Sequence, residues 1–180
     1  MTARLDVPPR SLAAILALVL GLLATATACT PRPSVATLDR LVFATPLPSF
    51  DRWWRAEHAR AQRVSLATVD EWIATSSARL DATGARSRPW DISTDLCSFA
   101  PDRGPGFDFR LPCIRHDFAW RNLHRLGRKI PGVDTSARRV AANQQFLRDL
   151  RSTCAGRPAP QRPACGAVAR IYFSVVSAVT

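Results

Sequence analysis

The stretch Cys113-Ile114-Arg115-His116-Asp117-Phe118-Ala119-Trp120-Arg121-Asn122, read with Ser93-Thr94-Asp95-Leu96-Cys97 upstream of it, decides how this chain is understood. Between the two lies an irregular segment containing Gly104, Pro105 and Gly106. A loop that supplies Asp95 and backbone carbonyls therefore runs directly into a helix, which Pro112 can open in its first turn. That helix presents a His beside an Asp. A bridge between Cys97 and Cys113 would tie the Asp95 end of the loop to the first helical turn and let Asp95 and Asp117 converge. Two carboxylates with carbonyl oxygens suit a hard cation, and calcium better than zinc, which prefers His or thiolate.

Outward from this centre the pattern is helical. Ser34 can cap a short segment carrying Val35, Leu38 and Val42, and Pro46 and Pro48 separate it from one carrying Phe50, Trp53, Trp54, Ala61 and Val64. Thr68 and Glu71 read as a capping box ahead of Val69, Trp72, Ile73 and Leu80, and Gly84 to Pro89 reads as a loop. The His-Asp helix should run to Leu126, with Gly127 closing it in the left-handed conformation. Asp134 or Thr135 could cap the next helix, whose stripe is Val140, Leu147 and Leu150 and whose end is Gly156. A last helix starts at Pro163, and Val168, Ile171, Tyr172, Val175, Val176 and Val179 make its apolar face. No long strand alternates, although a short hairpin near Gly127 to Val133 fits. The expected fold is a small all-α protein.

The 180 residues fit one domain of ordinary size, and 47% hydrophobic with 22% charged residues exclude a disordered chain. The net charge of +11 comes from 25 basic residues, all Arg except Lys129. They are spread along the chain and should favour anionic surfaces. Arg4 and Arg10 precede the apolar run Ser11 to Ala24, and Ala24-Thr25-Ala26-Thr27-Ala28 offers a cleavage site, so residues 1–28 read as a secretory signal peptide. At about 14 residues the run is shorter than the roughly 20 a membrane-spanning helix needs. Export places the cysteines in an oxidising compartment. Cys97, Cys113, Cys154 and Cys165 form an even set. Cys29 is the odd one, in a weak lipobox, and two readings stand: a lipid anchor, or a soluble chain with a free thiol. Residues 29–88 read as an N-terminal helical segment and 89–180 as the region of the loop and the His-Asp helix, one domain with 34–88.

Ser93 to Cys97 and Cys113 to Asn122 resemble the calcium loop and catalytic helix of the secreted phospholipase A2 family of bacteria and fungi. The spacings of Cys97 to Cys113 and of Cys154 to Cys165 match that family's two disulfides. The resemblance covers about half the chain, from Trp90 to the C-terminus, and implies a disulfide-stapled helical bundle with a calcium-binding loop. It implies that calcium held by Asp95, the Leu96 carbonyl and Asp117 polarises the sn-2 ester carbonyl of a glycerophospholipid. It also implies that His116 activates water as general base, releasing fatty acid and lysophospholipid without an acyl-enzyme.

In that family a carboxylate on the next helix orients the His, and counting back from Cys154 places the role at Asn143. An amide can accept from an imidazole N–H but cannot stabilise an imidazolium by charge, and its NH2 can turn the wrong way. The alternative function is therefore a catalytically weak phospholipid- or membrane-binding protein of the same fold. Asp149 and Asp134 are placed worse for the role. His58 and His124 read as solvated helix residues. Of Trp53 and Trp54 at least one belongs in the core, while Arg52, Arg55 and Arg60 beside them also suit a lipid interface. The expected partner is a phospholipid membrane or micelle surface, met by a monomer; no nucleic-acid motif accompanies the arginines.

Overall fold

The computed structural model describes residues 33–81, 89–98 and 100–179. The expected signal peptide, Cys29, most of the loop from Gly84 and the Val179 side chain lie outside the described residues. The described chain forms six α-helices and one two-stranded ribbon. Helix α1, Val35–Asp39, begins where Ser34 Oγ accepts from the Thr37 amide at 3.1 Å, and continues into a π-helical turn, Arg40–Ala44. Pro46 ends that turn, and Pro48 sits in the first turn of α2, Leu47–Gln62. Helix α3, Leu66–Ala74, is capped by Ser65 Oγ on the Thr68 amide at 3.1 Å. The cap is thus three residues ahead of the expected Thr68 and Glu71 box, because Thr68 is already the residue whose amide needs an acceptor.

The ribbon pairs β1, Arg103–Gly104, with β2, Phe107–Asp108, antiparallel, and Gly106 turns it at φ 79°. A hairpin therefore exists, but before the helix that carries His116 and not at Gly127 to Val133, where Gly127 is still helical and Arg128 to Val133 form turns and bends. Helix α4, Arg110–Gly127, keeps Gly127 inside it and leaves Arg128 in the right-handed region. The left-handed glycine is Gly132, at φ 79°. Thr135 caps α5, Ser136–Ala155, which ends at Gly156, and α6 spans Arg162–Val179.

Two apolar clusters hold these elements. The larger joins α1 to α4 and packs Phe50, Trp54, Ile114, Phe118 and Leu123. Trp54 is fully buried and its indole donates to the Ile92 carbonyl at 3.1 Å, while Trp53 packs edge-on against Phe118. The smaller joins α4, α5 and α6 around Phe109, Phe146, Leu150 and Tyr172, with both disulfides, Cys97–Cys113 and Cys154–Cys165, built into it. His58 is not solvated but wholly buried in the first cluster. The stripes expected on α5 and α6 are only partly core: Val140, Ile171 and Val175 are exposed. Periodicity identifies which residues share a helix face and is silent on whether another element covers that face.

One buried pair sets α5 against α4. Arg115 donates through Nε to Asp149 Oδ2 at 2.7 Å and through a second nitrogen to Asp149 Oδ1, and its remaining nitrogen donates to the Thr45 carbonyl at 2.6 Å. Gln145 Nε2 adds a bond to Asp149 Oδ1 at 2.9 Å. A desolvated guanidinium and carboxylate tolerate no slippage, since removing either partner costs about 3–5 kcal/mol. The pair lies next to His116 on one helix and below Asn143 on the other, so the register it holds brings those two side chains to face each other.

Candidate active site

Helix α4 divides its residues between two environments. Ile114, Phe118, Ala119 and Leu123 face the larger core, His116, Asp117 and Arg121 face the cavity, and Trp120 lies between the two, lining the cavity while packing on that core; His116 with Trp120 and Asp117 with Arg121 are each one turn apart. The loop that precedes the ribbon is strapped across this second face. Asn122 Nδ2 donates to the Asp91 carbonyl at 2.7 Å and its Oδ1 accepts from the Asp91 amide at 2.9 Å. Thr94 Oγ1 donates to Asp117 Oδ2 at 2.6 Å, and the Asp95 amide donates to the same oxygen at 3.2 Å. Leu96 follows at φ 61°, a left-handed conformation that a side chain adopts only under constraint. The Cys97–Cys113 bridge and a bond from the Cys97 amide to Asp102 at 2.9 Å anchor the loop's far end.

The Asp95 and Asp117 carboxyls lie together where the loop meets the helix. The Asp95 amide bonds Asp117, and the Asp95 carboxylate, which also meets the Asp117 carboxyl, is held by Ser98 and by Arg121 Nη2 at 2.6 Å. Arg121 also reaches Asp81 at 3.0 Å and Ser93 Oγ at 2.9 Å. No sequence motif singled out Arg121 or Asp81, although the one-turn spacing of Asp117 and Arg121 was a usable signal. Burial raises the Asp95 pKa, but bonds from Ser98 and Asp117 and the Arg121 charge outweigh it and hold the group below its ordinary value. Asp117 goes the other way: burial, opposed by the Thr94 bond and reinforced by the Asp95 charge, pushes it up to about 8.

These groups fit a hard cation chemically. Among the described residues no three His, Cys, Asp or Glu side chains gather into a metal cluster. A cation here would therefore rest on two carboxylates plus backbone and solvent oxygen, which is a calcium donor set. A buried carboxyl whose charged form is disfavoured by burial and by a second carboxylate is one that added positive charge would relieve.

His116 sits beyond this loop with Nε2 2.8 Å from Asn143 Oδ1, and the Trp120 indole donates to the same oxygen at 3.1 Å. Burial pulls the imidazole down to about 4, and the Asn143 bond only partly opposes it. His116 and Asp117 form the floor of a cavity of about 460 Å³, walled by Leu96, Trp120, Phe146 and Tyr172 and edged by Ile171 and Val175. The last two are 61% and 41% exposed, so the uncovered part of the α6 stripe forms an apolar rim. Asp149 belongs to the buried pair with Arg115. His124 is exposed near Asp134, and the Arg139 guanidinium lies over the Trp120 ring.

The family model described as prokaryotic phospholipase A2 matches residues 64–180, which begins at Val64 and so takes in α3 as well as the region from Trp90 onward. The chain is also 35% identical over 89 residues to a secretory phospholipase A2 of Arthroderma benhamiae, a match covering 48% of this chain and 57% of that protein. The chain thus spans little more than half the length of that curated relative. Two disulfides in so small a unit fit an extracellular protein.

Proposed function

From the premise that the chain belongs to the prokaryotic phospholipase A2 family, a family of phospholipid hydrolases, we propose that it cleaves the sn-2 ester of glycerophospholipids in a calcium-dependent reaction, with His116 as general base. The observation that carries this reading is the pairing of His116 with Asn143 on the floor of an apolar-walled cavity. His116 engages Asn143 through Nε2, which leaves Nδ1 to take a proton from a water molecule as that water attacks the ester. Asn143 accepts from the ring and keeps it oriented through the proton transfer. Leu96, Phe146, Tyr172 and the rim residues Ile171 and Val175 would receive an acyl chain and exclude bulk water from the base. Asp95, the Leu96 carbonyl and Asp117 would hold the calcium ion. When bound, calcium supplies Lewis-acid polarisation of the ester carbonyl and charge neutralisation at the phosphate.

The exposed apolar rim and the basic net charge support action at an anionic phospholipid surface, by a monomer without a nucleic-acid partner, outside the cell either free or attached through a lipidated Cys29. Asn143 itself favours the second reading, a phospholipid-binding protein of weak activity, because it contributes no charge to a protonated His116. Fatty-acid release from phospholipid vesicles, with and without a calcium chelator, separates the two. Release that the chelator suppresses is expected; vesicle binding without release, by folded protein in added calcium, would leave only the binding reading.

A further inference from the structure

We propose that Trp120 is a positioning residue: its indole N–H turns the Asn143 amide so that Oδ1 faces His116, and thereby selects the imidazole tautomer whose Nδ1 can act as a base. The inference rests on the reading of His116 as that base. The two ends of an Asn amide have nearly the same shape and opposite hydrogen-bonding character. With Oδ1 toward the ring, Nε2 carries the proton and Nδ1 is free to accept one. With the NH2 toward the ring, Nε2 must accept, Nδ1 carries the proton, and the base is lost. His116 cannot settle the choice, since each of its neutral tautomers satisfies one of the two amide orientations.

Trp120 can settle it, because an indole nitrogen only donates. It lies 3.1 Å from Asn143 Oδ1, the oxygen that is also 2.8 Å from His116 Nε2. Turning the amide over would set its NH2 against the indole N–H, two donors with no acceptor between them in a largely buried place. The indole is itself held. It stands one turn beyond His116 on α4, and the Arg139 guanidinium lies 4.8 Å from the centroid of its ring. Arg139 in turn is gripped by both oxygens of Asp134, at 2.7 and 2.8 Å, and lies one turn before Asn143 on α5. The turn before α5, α5 itself and α4 thus present a stack, Asp134, Arg139, Trp120, whose last member faces the amide oxygen. A carboxylate in place of the amide has two equivalent oxygens and would need no such arrangement, so the role of Trp120 is tied to Asn143 being an amide.

The test uses the full chain without added metal and reads the His116 ring nitrogens by 15N NMR at neutral pH. The native protein is expected to show the Nε2–H tautomer alone, and Trp120→Phe a mixture of tautomers with its melting midpoint retained. In vesicle hydrolysis with calcium, Trp120→Phe should lower turnover roughly tenfold or more in the native background and less than about threefold in an Asn143→Asp background. A single Nε2–H tautomer in Trp120→Phe, or an equal loss in both backgrounds, would mean that Trp120 merely fills space and would overturn the proposal. Should Trp120→Phe fail to fold, Trp120→Tyr carries the same test, since a hydroxyl can donate or accept and therefore cannot choose the amide face. The tautomer measurement needs no turnover, so an inactive native protein with an intact Nε2–H tautomer, mixed in Trp120→Phe, would remove the hydrolase reading while still supporting the choice of tautomer by Trp120.

Discussion

The aromatic core around His58 and the cavity around His116 hold histidines that burial pulls down to the same value, about 4, yet their surroundings differ. His58 stacks on Trp54 with centroids 4.8 Å apart and meets Trp72 edge-on at 6.0 Å. It is 0% exposed, and neither ring nitrogen has a hydrogen-bond partner. The Ile92 carbonyl, close enough to oppose the shift, accepts its hydrogen bond from Trp54. His116 also packs on an aromatic ring, Phe146 at 4.9 Å, but one of its nitrogens is engaged by a polar partner and the ring borders a cavity. The comparison teaches that a strongly shifted histidine marks burial, and that a base additionally needs an orienting acceptor on one nitrogen and space beside the other.

The largest expected effect breaks the comparison outright. His116→Ala should lower phospholipid hydrolysis by roughly a thousandfold or more, the scale of a lost general base, whereas His58→Phe should leave turnover in place because Phe fills the same aromatic site. Comparable losses from the two substitutions, in folded proteins assayed side by side, would contradict the separation of roles.

A second effect appears in stability against pH. The His58 pKa is lowered in the folded chain, so between about 4 and the ordinary 6.5 the unfolded chain binds the extra proton. Stability therefore rises with pH through that window, and the penalty is absent above 6.5 and complete near 4. Its size is up to about 3 kcal/mol, because each tenfold loss of proton affinity on folding is worth about 1.4 kcal/mol. Denaturant titrations at pH 4.5 and 7.5 should show a clear acid weakening that His58→Phe reduces. An unchanged difference would assign the acid sensitivity to other groups.

The smallest effect sharpens the His116 side. Because Trp120 already sets the tautomer, the amide at position 143 forfeits only charge stabilisation of the protonated ring. Asn143→Asp should therefore raise turnover by roughly tenfold, well short of the ~10⁴ that separates carboxylate from amide where the amide imposes the wrong tautomer. Initial rates at saturating calcium decide it, and a gain approaching a thousandfold would mean that the native imidazole is not held as described.

Much of the site is written locally and could be read that way. Asp95, Leu96, Cys97, Cys113, His116 and Asp117 fall within two short segments, and cysteine spacing with helical periodicity was enough to bring them onto one loop and one helix. Asn143 could be named only through the family resemblance, by counting back from Cys154, because its partner lies on another helix. Residues whose meaning depends on a distant partner escaped: Arg115 and Asp149 as a buried pair, Arg121 between Asp81 and Asp95, and Trp120 as a donor to Asn143. His58 was misread as solvated because a single His within the α2 pattern gives no sign that Trp72 will close over it.

By itself the sequence determined the helical character of the chain, the cap at Ser34, a cap at Asp134 or Thr135, and the His-Asp helix with its preceding loop, for these depend on interactions within a few residues. Only the tertiary structure decided which faces are covered. It left Ile171 and Val175 at the cavity rim, buried His58 without partners, and used Arg115 and Asp149 to set the register that places Asn143 against His116. Whether an apolar stripe becomes core or rim, and which polar atoms meet across helices, depends on how separate elements dock, and no local pattern encodes that docking.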